Sequence, residues 1–323
     1  MPPITTDLLF ILGTSALIFL TGKRFINASS NIGDYFRLPR SVKGATLDAI
    51  SSSFPELMIA LFSVIAFKRF EVGIGTIAGS ALFNLLVITG ISVLVAPKVF
   101  KVTKDVLTRD AFFYIISVLA LLIALYASST WNLIVPLVFL FIYIVYSREI
   151  IKDTKEFRHK IIDKVLRKIN IYRELGIAFF CMATIAFASY FLTEHSISFA
   201  EIIGVPPLVI AFTVMAAATS LPDAVISIGN AKAGHVDDAA ANVFGSNVFD
   251  ILIGLSIPML LAMAFVRGPI QIDFDYPEIV IGLLGSTLLL VAFLAGGLTL
   301  TKRQGWYLLG VYALFLIAIC FIN

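Results

Sequence analysis

Two carboxylates stand where an apolar chain has no ordinary use for them. Glu56 lies in TLDAISSSFPELMIALF and Asp223 in VMAAATSLPDAVISIG, and each directly follows a proline. A carboxylate inside such a run costs several kcal/mol unless it is paired or solvated, and neither run contains Lys, Arg or His. On a helix, Ala49, Ser52, Ser53 and Glu56 recur at i, i+3, i+4 and i+7, and Ala216, Thr219, Ser220 and Asp223 repeat that spacing, so each set shares one face. Pro55 and Pro222 remove an N–H and clash with the preceding turn, which predicts a broken helix with carbonyls freed near Ala49 and Ala216. Ser80 with Asn84, and Ser246 with Asp250, add two more pairs one helical turn apart. Every donor in the set is oxygen. That suits a hard cation such as Ca2+, Na+, K+ or Mg2+ and argues against zinc or copper. Ca2+ takes about six to eight oxygens, which these groups can supply, whereas Mg2+ tends to keep its waters. Asp48, one turn before Ser52, extends the same face toward the helix end. There it could relay protons, attract cations to a vestibule, or simply meet water.

Lipid must surround the elements that hold these groups. The chain has 323 residues, 59% hydrophobic and 14% charged, with mean hydropathy +0.98. A soluble domain of this size is roughly a quarter charged. Apolar runs fall at about 8–22, 44–67, 72–97, 111–128, 131–147, 175–193, 205–230, 239–266, 279–299 and 305–322, giving about ten crossings at roughly 20 residues each. The first run lacks the positive flank of a cleavable signal and is read as a retained helix. If the helices alternate, all of the 24 basic residues except Lys68, Arg69 and Arg267 fall on one side. The bias of Lys and Arg makes that side cytoplasmic and both termini external. Cys181 and Cys320 sit inside apolar runs as packing residues, and His159, His195 and His235 fall in predicted loops.

The halves repeat each other. Pro55-Glu56 aligns with Pro222-Asp223, Gly79-Ser80 with Gly245-Ser246, and Asn84 with Asp250. Glycines 75, 79 and 245 are expected to let backbones approach. The chain therefore divides into a first five-helix repeat (1–147), a basic cytoplasmic loop (148–174) and a second five-helix repeat (175–323). Because five is odd, the second copy is inverted, the plan of secondary transporters with substrate at the midplane. Three carboxylates so close cannot all stay ionised without cations, so an empty site should take up protons.

The repeats resemble those of the cation/calcium exchanger superfamily. VGIGTIAGSALFN, TSLPDAVIS and GSNVFDILIGL are most similar to the potassium-dependent sodium/calcium exchangers, whose second repeat also has aspartates at positions like 223 and 250. The resemblance implies an all-α membrane fold and a secondary antiporter exchanging Ca2+ for Na+, with or without K+. One shared acidic site would serve both ions, with access alternating by movement of a two-helix bundle. It also implies calcium binding at Glu56 and Asp223, and mixed ion coordination at Ala49, Ser52, Ser53, Ser80, Asn84, Ala216, Thr219, Ser220, Ser246 and Asp250. A potassium role would fall to Asp250. The chain departs from the pattern at Ser51, where the family usually has glycine. It departs again at Asp48, where these exchangers generally have an apolar residue and proton/calcium exchangers tend to have a polar one. The alternative reading is thus a proton/divalent-cation exchanger with Asp48 as an added titrating ligand. The partners expected are inorganic cations and the bilayer of the cell membrane, with no nucleic acid and no cofactor. A channel would also bury carboxylates, but paired proline-broken helices suit alternating access better. A membrane aspartyl protease would show Tyr-Asp and Gly-x-Gly-Asp motifs, and neither surrounds Asp223 or Asp250.

Overall fold

A computed structural model describes residues 3–38, 43–157, 169–272, 274, 276 and 278–319. Arg40, His159, Cys320 and the middle of the basic loop, 158–168, lie outside the described residues. Hydrocarbon offers no partner to a bare N–H or C=O, so each apolar run becomes helix. The helices are α1 (Pro3–Tyr35), α2 (Thr46–Ser52), α3 (Phe54–Ile65), α4 (Phe70–Val95), α5 (Val106–Ala127) and α6 (Ile134–Phe157). The second half supplies α7 (Ile171–Ile203), α8 (Pro207–Thr219), α9 (Leu221–Lys232), α10 (Val236–Val266), α11 (Glu278–Ala295) and α12 (Lys302–Ile319).

Among the described residues, seven helices are long and apolar enough to cross a membrane, and the bent pairs α2–α3 and α8–α9 raise the number to nine. The tenth apolar run forms α12, which starts on Lys302 and Arg303 and is not among those nine. The chain is an all-helical membrane protein with two broken spans.

Four short strands tie the loops. β1 (Phe100–Lys101) pairs with β4 (Thr299–Leu300), and β2 (Thr130–Trp131) pairs with β3 (Ile270–Gln271), both antiparallel. Alternate crossing puts each of these loop pairs on one side of the membrane. The same holds for the Arg69–Glu201 ion pair at 2.6 Å and the Thr103 N–H to Asp237 bond at 2.6 Å.

One boundary differs from the sequence reading. His195 is not in a loop, because α7 continues ten residues past the apolar run, to Ile203, before Gly204 closes it in the left-handed conformation at φ 73°. The His195 Nδ1 lies 2.7 Å from Asp7 Oδ1 on α1, and Ser198 donates to Asp7 Oδ2 at 2.8 Å. At the other end of the same pair, Asn31 donates to Glu174 at 3.1 Å. Polar ties at both ends thus fasten α1 to α7 as one unit. His235 directly precedes α10, and its side chain is 55% exposed.

The breaks have a local cause that recurs in both halves. A π-helical turn, Gly44–Asp48 or Ala211–Met215, leads into each short segment. The chain then bends by 55° at Ser53 and by 48° at Ser220. Pro55 and Pro222 fall in the first turn of the restarted helix, where a missing N–H costs nothing. Between the breaks run α4 and α10, 78% and 67% buried over their most apolar stretch, against 28% for α1 and 33% for α7. The two central helices are therefore the ones that carry polar residues toward the breaks, and α1 and α7 form an outer pair.

Candidate functional site

Ser52, Ser53, Glu56, Ser80, Asn84, Thr219, Ser220, Asp223 and Asp250 are all 0% exposed, and Ser246 is 1% exposed. Each broken helix lends its carboxylate to the central helix of its own half. Ser80 on α4 donates to Glu56 Oε1 at 3.2 Å, and Ser246 on α10 donates to Asp223 Oδ1 at 2.8 Å. These bonds are copies of one another in the repeat. Links between the halves complete the cluster: the Ser80 and Ser220 hydroxyls lie 2.8 Å apart, and Asn84 Nδ2 donates to Asp223 Oδ2 at 3.2 Å.

The copies then diverge. Asn84 is a donor and satisfies the carboxylate across from it. Its counterpart Asp250 faces Glu56 within Coulombic range, with Asp223 and the Ser53 and Ser80 hydroxyls nearby, and an ionised carboxylate has nothing to donate. Both oxygens of Asp250 are left without a hydrogen bond, as are Glu56 Oε2, Asn84 Oδ1 and Ser53 Oγ. Buried acceptors in this state are costly. Among the described residues no basic side chain pairs with any of these carboxylates. A desolvated cation, or protons, can satisfy such a set.

Several expectations need correction. The carbonyls of Ala49 and Ala216 are not freed. Ala49 O accepts the Ser53 N–H and Ala216 O the Ser220 N–H, both at 3.0 Å. Their second lone pairs face Ser52 Oγ at 3.3 Å and Thr219 Oγ1 at 3.2 Å. The bends fall after these carbonyls have found partners, because a proline deprives only the residue four positions before it. The same bends end the common face proposed for each run. Ser52 turns back to Asp48 O at 3.0 Å and Thr219 to Met215 O at 3.1 Å, while Glu56 and Asp223 turn to α4 and α10.

Asp48 is half-buried, with Lys43 and Asp34 as its charged neighbours. Its Oδ1 is buried without a partner. It stands at the end of α1, apart from the three clustered carboxylates.

The glycines also sort unequally. A Cβ on Gly79 would lie 2.1 Å from Phe212 O, and on Gly75 3.3 Å from Leu208 O, so both let α4 touch the α8 backbone. Gly245 meets only the Tyr146 hydroxyl, at 3.6 Å.

Two residues escaped the sequence reading. Asn247 Oδ1 accepts from Asn84 at 3.0 Å while its Nδ2 donates to Ala81 O at 3.0 Å, which fixes the Asn84 amide. Asn242 donates to Asp223 Oδ1 at 3.4 Å and to Ser227 at 2.9 Å. For Asn242 the available signal was the stripe of Asn242, Ser246 and Asp250 at four-residue intervals on α10; Asn247 lies off that stripe.

Residues 6–148 and 174–321 match the family described as sodium/calcium exchanger protein. Among curated proteins, the sodium/calcium exchanger MaX1 of Methanosarcina acetivorans is 27% identical, over 99% of this chain and all of that one. The inner membrane protein YrbG of Escherichia coli is 26% identical over 80% of this chain and 81% of its own. Human sodium/potassium/calcium exchanger 3 is 37% identical, over 40% of this chain and 20% of the human protein. The fold is similar to that of the sodium-calcium exchanger NCX_Mj, with TM-score 0.66 and 22% identity over 99% of this chain and all of that one.

Proposed function

This chain belongs to the sodium/calcium exchanger protein family, and from that premise we propose that it is a secondary antiporter moving Ca2+ against Na+ through one acidic midplane site. The observation that carries the reading is the set of unpartnered buried oxygens on Asp250, Glu56, Asn84 and Ser53. Glu56, Asp223 and Asp250 supply up to three negative charges. One Ca2+ with one K+, or three Na+, balances them, and the two sets compete for the same oxygens. That mutual exclusion couples the fluxes. A neutralised cluster can be occluded in lipid, whereas a bare acidic one takes up protons or stays open to water.

Glu56 and Asp223 act as the main calcium ligands and Asp250 completes the charge. Ser53, Ser80, Asn84, Ser220 and Ser246 contribute or orient oxygens. Ser52, Thr219, Ala49 and Ala216 line the bends. Asn247, together with Asp223, holds the Asn84 amide in position. Residues 1–147 and 175–323 are read as oppositely oriented copies, and the α1–α7 pair, tied at both ends, as the unit that moves to alternate access.

The test is isothermal titration of Ca2+ across a grid of pH and Na+. Calcium affinity should fall as Na+ rises and as pH drops, and Asp250→Asn should weaken any K+ dependence most. Independent binding of Na+ and Ca2+ would overturn the shared site. The unpartnered Asp48 oxygen favours a second reading, a proton-coupled exchanger. In that case Asp48→Asn shifts the pH profile and leaves Na+ competition intact.

The charge distribution further predicts sidedness. In a Cys181- and Cys320-free background, an impermeant thiol reagent should reach a cysteine at Ser129 only from outside the cell and one at Lys152 only from inside. The reverse pattern would invert the protein in the membrane.

A further inference from the structure

We propose that an anionic phospholipid seats in the outer groove between α1 and α7, its headgroup held by Arg24 and Arg173. The groove has a volume of about 620 Å3, and its lining includes Leu20, Arg24, Arg173, Gly176, Ile177 and Phe180. The apolar run of α1 ends just before Arg24 and that of α7 begins just after Arg173. Both arginines line this groove between the paired helices, each just beyond the end of its own apolar run. Both are exposed. Among the described residues neither is in an ion pair. Glu174, the acid beside Arg173 in sequence, is instead engaged by Asn31.

Arginine presents a planar fork of donors that matches phosphate oxygens, and basic pockets between spanning helices suit anionic headgroups. The apolar part of the groove distinguishes a lipid from a free anion. Leu20 is 64% exposed and Phe180 70% exposed, and a Cβ on Gly176 would meet nothing within 4 Å. An acyl chain covers these groups, whereas inorganic phosphate leaves them bare. The headgroup bridges α1 and α7 at the end where Asn31 and Glu174 already join them. Binding itself does not depend on which ions the protein exchanges.

The experiment is native mass spectrometry of the purified full chain in detergent, titrated with phosphatidylglycerol or phosphatidylcholine. Wild type should hold one phosphatidylglycerol about thirtyfold more tightly than phosphatidylcholine, the worth of two basic side chains at an anionic headgroup. The Arg24→Gln/Arg173→Gln double variant should lose this preference. Gly176→Phe keeps both charges but fills the groove, and should lose it too. Preference surviving in the double variant overturns the headgroup site, and survival in Gly176→Phe overturns the groove as the chain's seat. Displacement of the lipid by excess inorganic phosphate, with equal affinity for the free anion, would also overturn the proposal.

Discussion

Replacing Glu56 by Gln, or Asp223 by Asn, should abolish calcium exchange while the protein still inserts and folds. Each change preserves shape and removes a charge from a site that must strip the water from a doubly charged ion. At Glu56 the Oε1 oxygen accepts from Ser80 at 3.2 Å and Oε2 has no partner. An amide turned to keep the Ser80 bond directs its NH2 group into the space meant for the cation. At Asp223 both oxygens are already acceptors, from Ser246, Asn242 and Asn84. An Asn there sets donor against donor on one side, so Asp223→Asn should also lower thermal stability more than Glu56→Gln. Removing one member of a buried charge pair costs about 3–5 kcal/mol, more than a hundredfold in calcium affinity. Uptake of radioactive Ca2+ into Na+-loaded proteoliposomes reads the loss, with size-exclusion chromatography confirming that the variant is folded. Near wild-type exchange by either variant would remove that residue from the site.

Gly79→Ala should be nearly as damaging, through packing rather than charge. The added Cβ would stand 2.1 Å from Phe212 O, 2.8 Å from the Phe212 carbonyl carbon and 2.7 Å from Ala216 Cβ. Two of those three atoms belong to backbone, so no rotamer change relieves the clash and the helices must separate. Overpacking costs typically about 1–3 kcal/mol, and an obstacle made of backbone belongs at the upper end. The separation has a functional consequence as well. Ser80 follows Gly79 directly, and its 2.8 Å link to Ser220 joins the two halves at the site. Exchange should therefore fall along with the melting temperature. Gly245→Ala, at the repeat-related position, is the control: its Cβ meets only the Tyr146 hydroxyl at 3.6 Å, an ordinary contact, and both readouts should stay close to wild type. Equal tolerance at positions 79 and 245 would show that α4 does not rely on close approach to α8.

Much about this protein follows from one-dimensional information. Composition alone assigns the solvent, because no soluble chain of this length hides so much apolar surface. Pro55 and Pro222 dictate broken helices, since a missing N–H and a steric clash are local properties of the residue. The oxygen-only donor set restricts the ligand to hard cations, and the repeat pairs Glu56 with Asp223 before any coordinates exist. The tertiary structure decided which of those oxygens remain available. Whether an acceptor is occupied depends on groups arriving from elsewhere in the chain. Ala49 O is taken by Ser53, only a turn away, because Pro55 deprives the carbonyl four positions before it and not the one at Ala49. Asn84 is committed to Asp223 and Asn247, both from the other half, while Asp250 receives nothing. Asp48, aligned by spacing with Glu56, ends beside Lys43 and Asp34 because a π-helical turn and a 55° bend rotate it away from the helix that follows. Arg24 and Arg173 are nearly 150 positions apart and line one groove only because α1 and α7 pack side by side. Spacing fixes direction along a single unbroken helix; across a break, or between helices, only packing does.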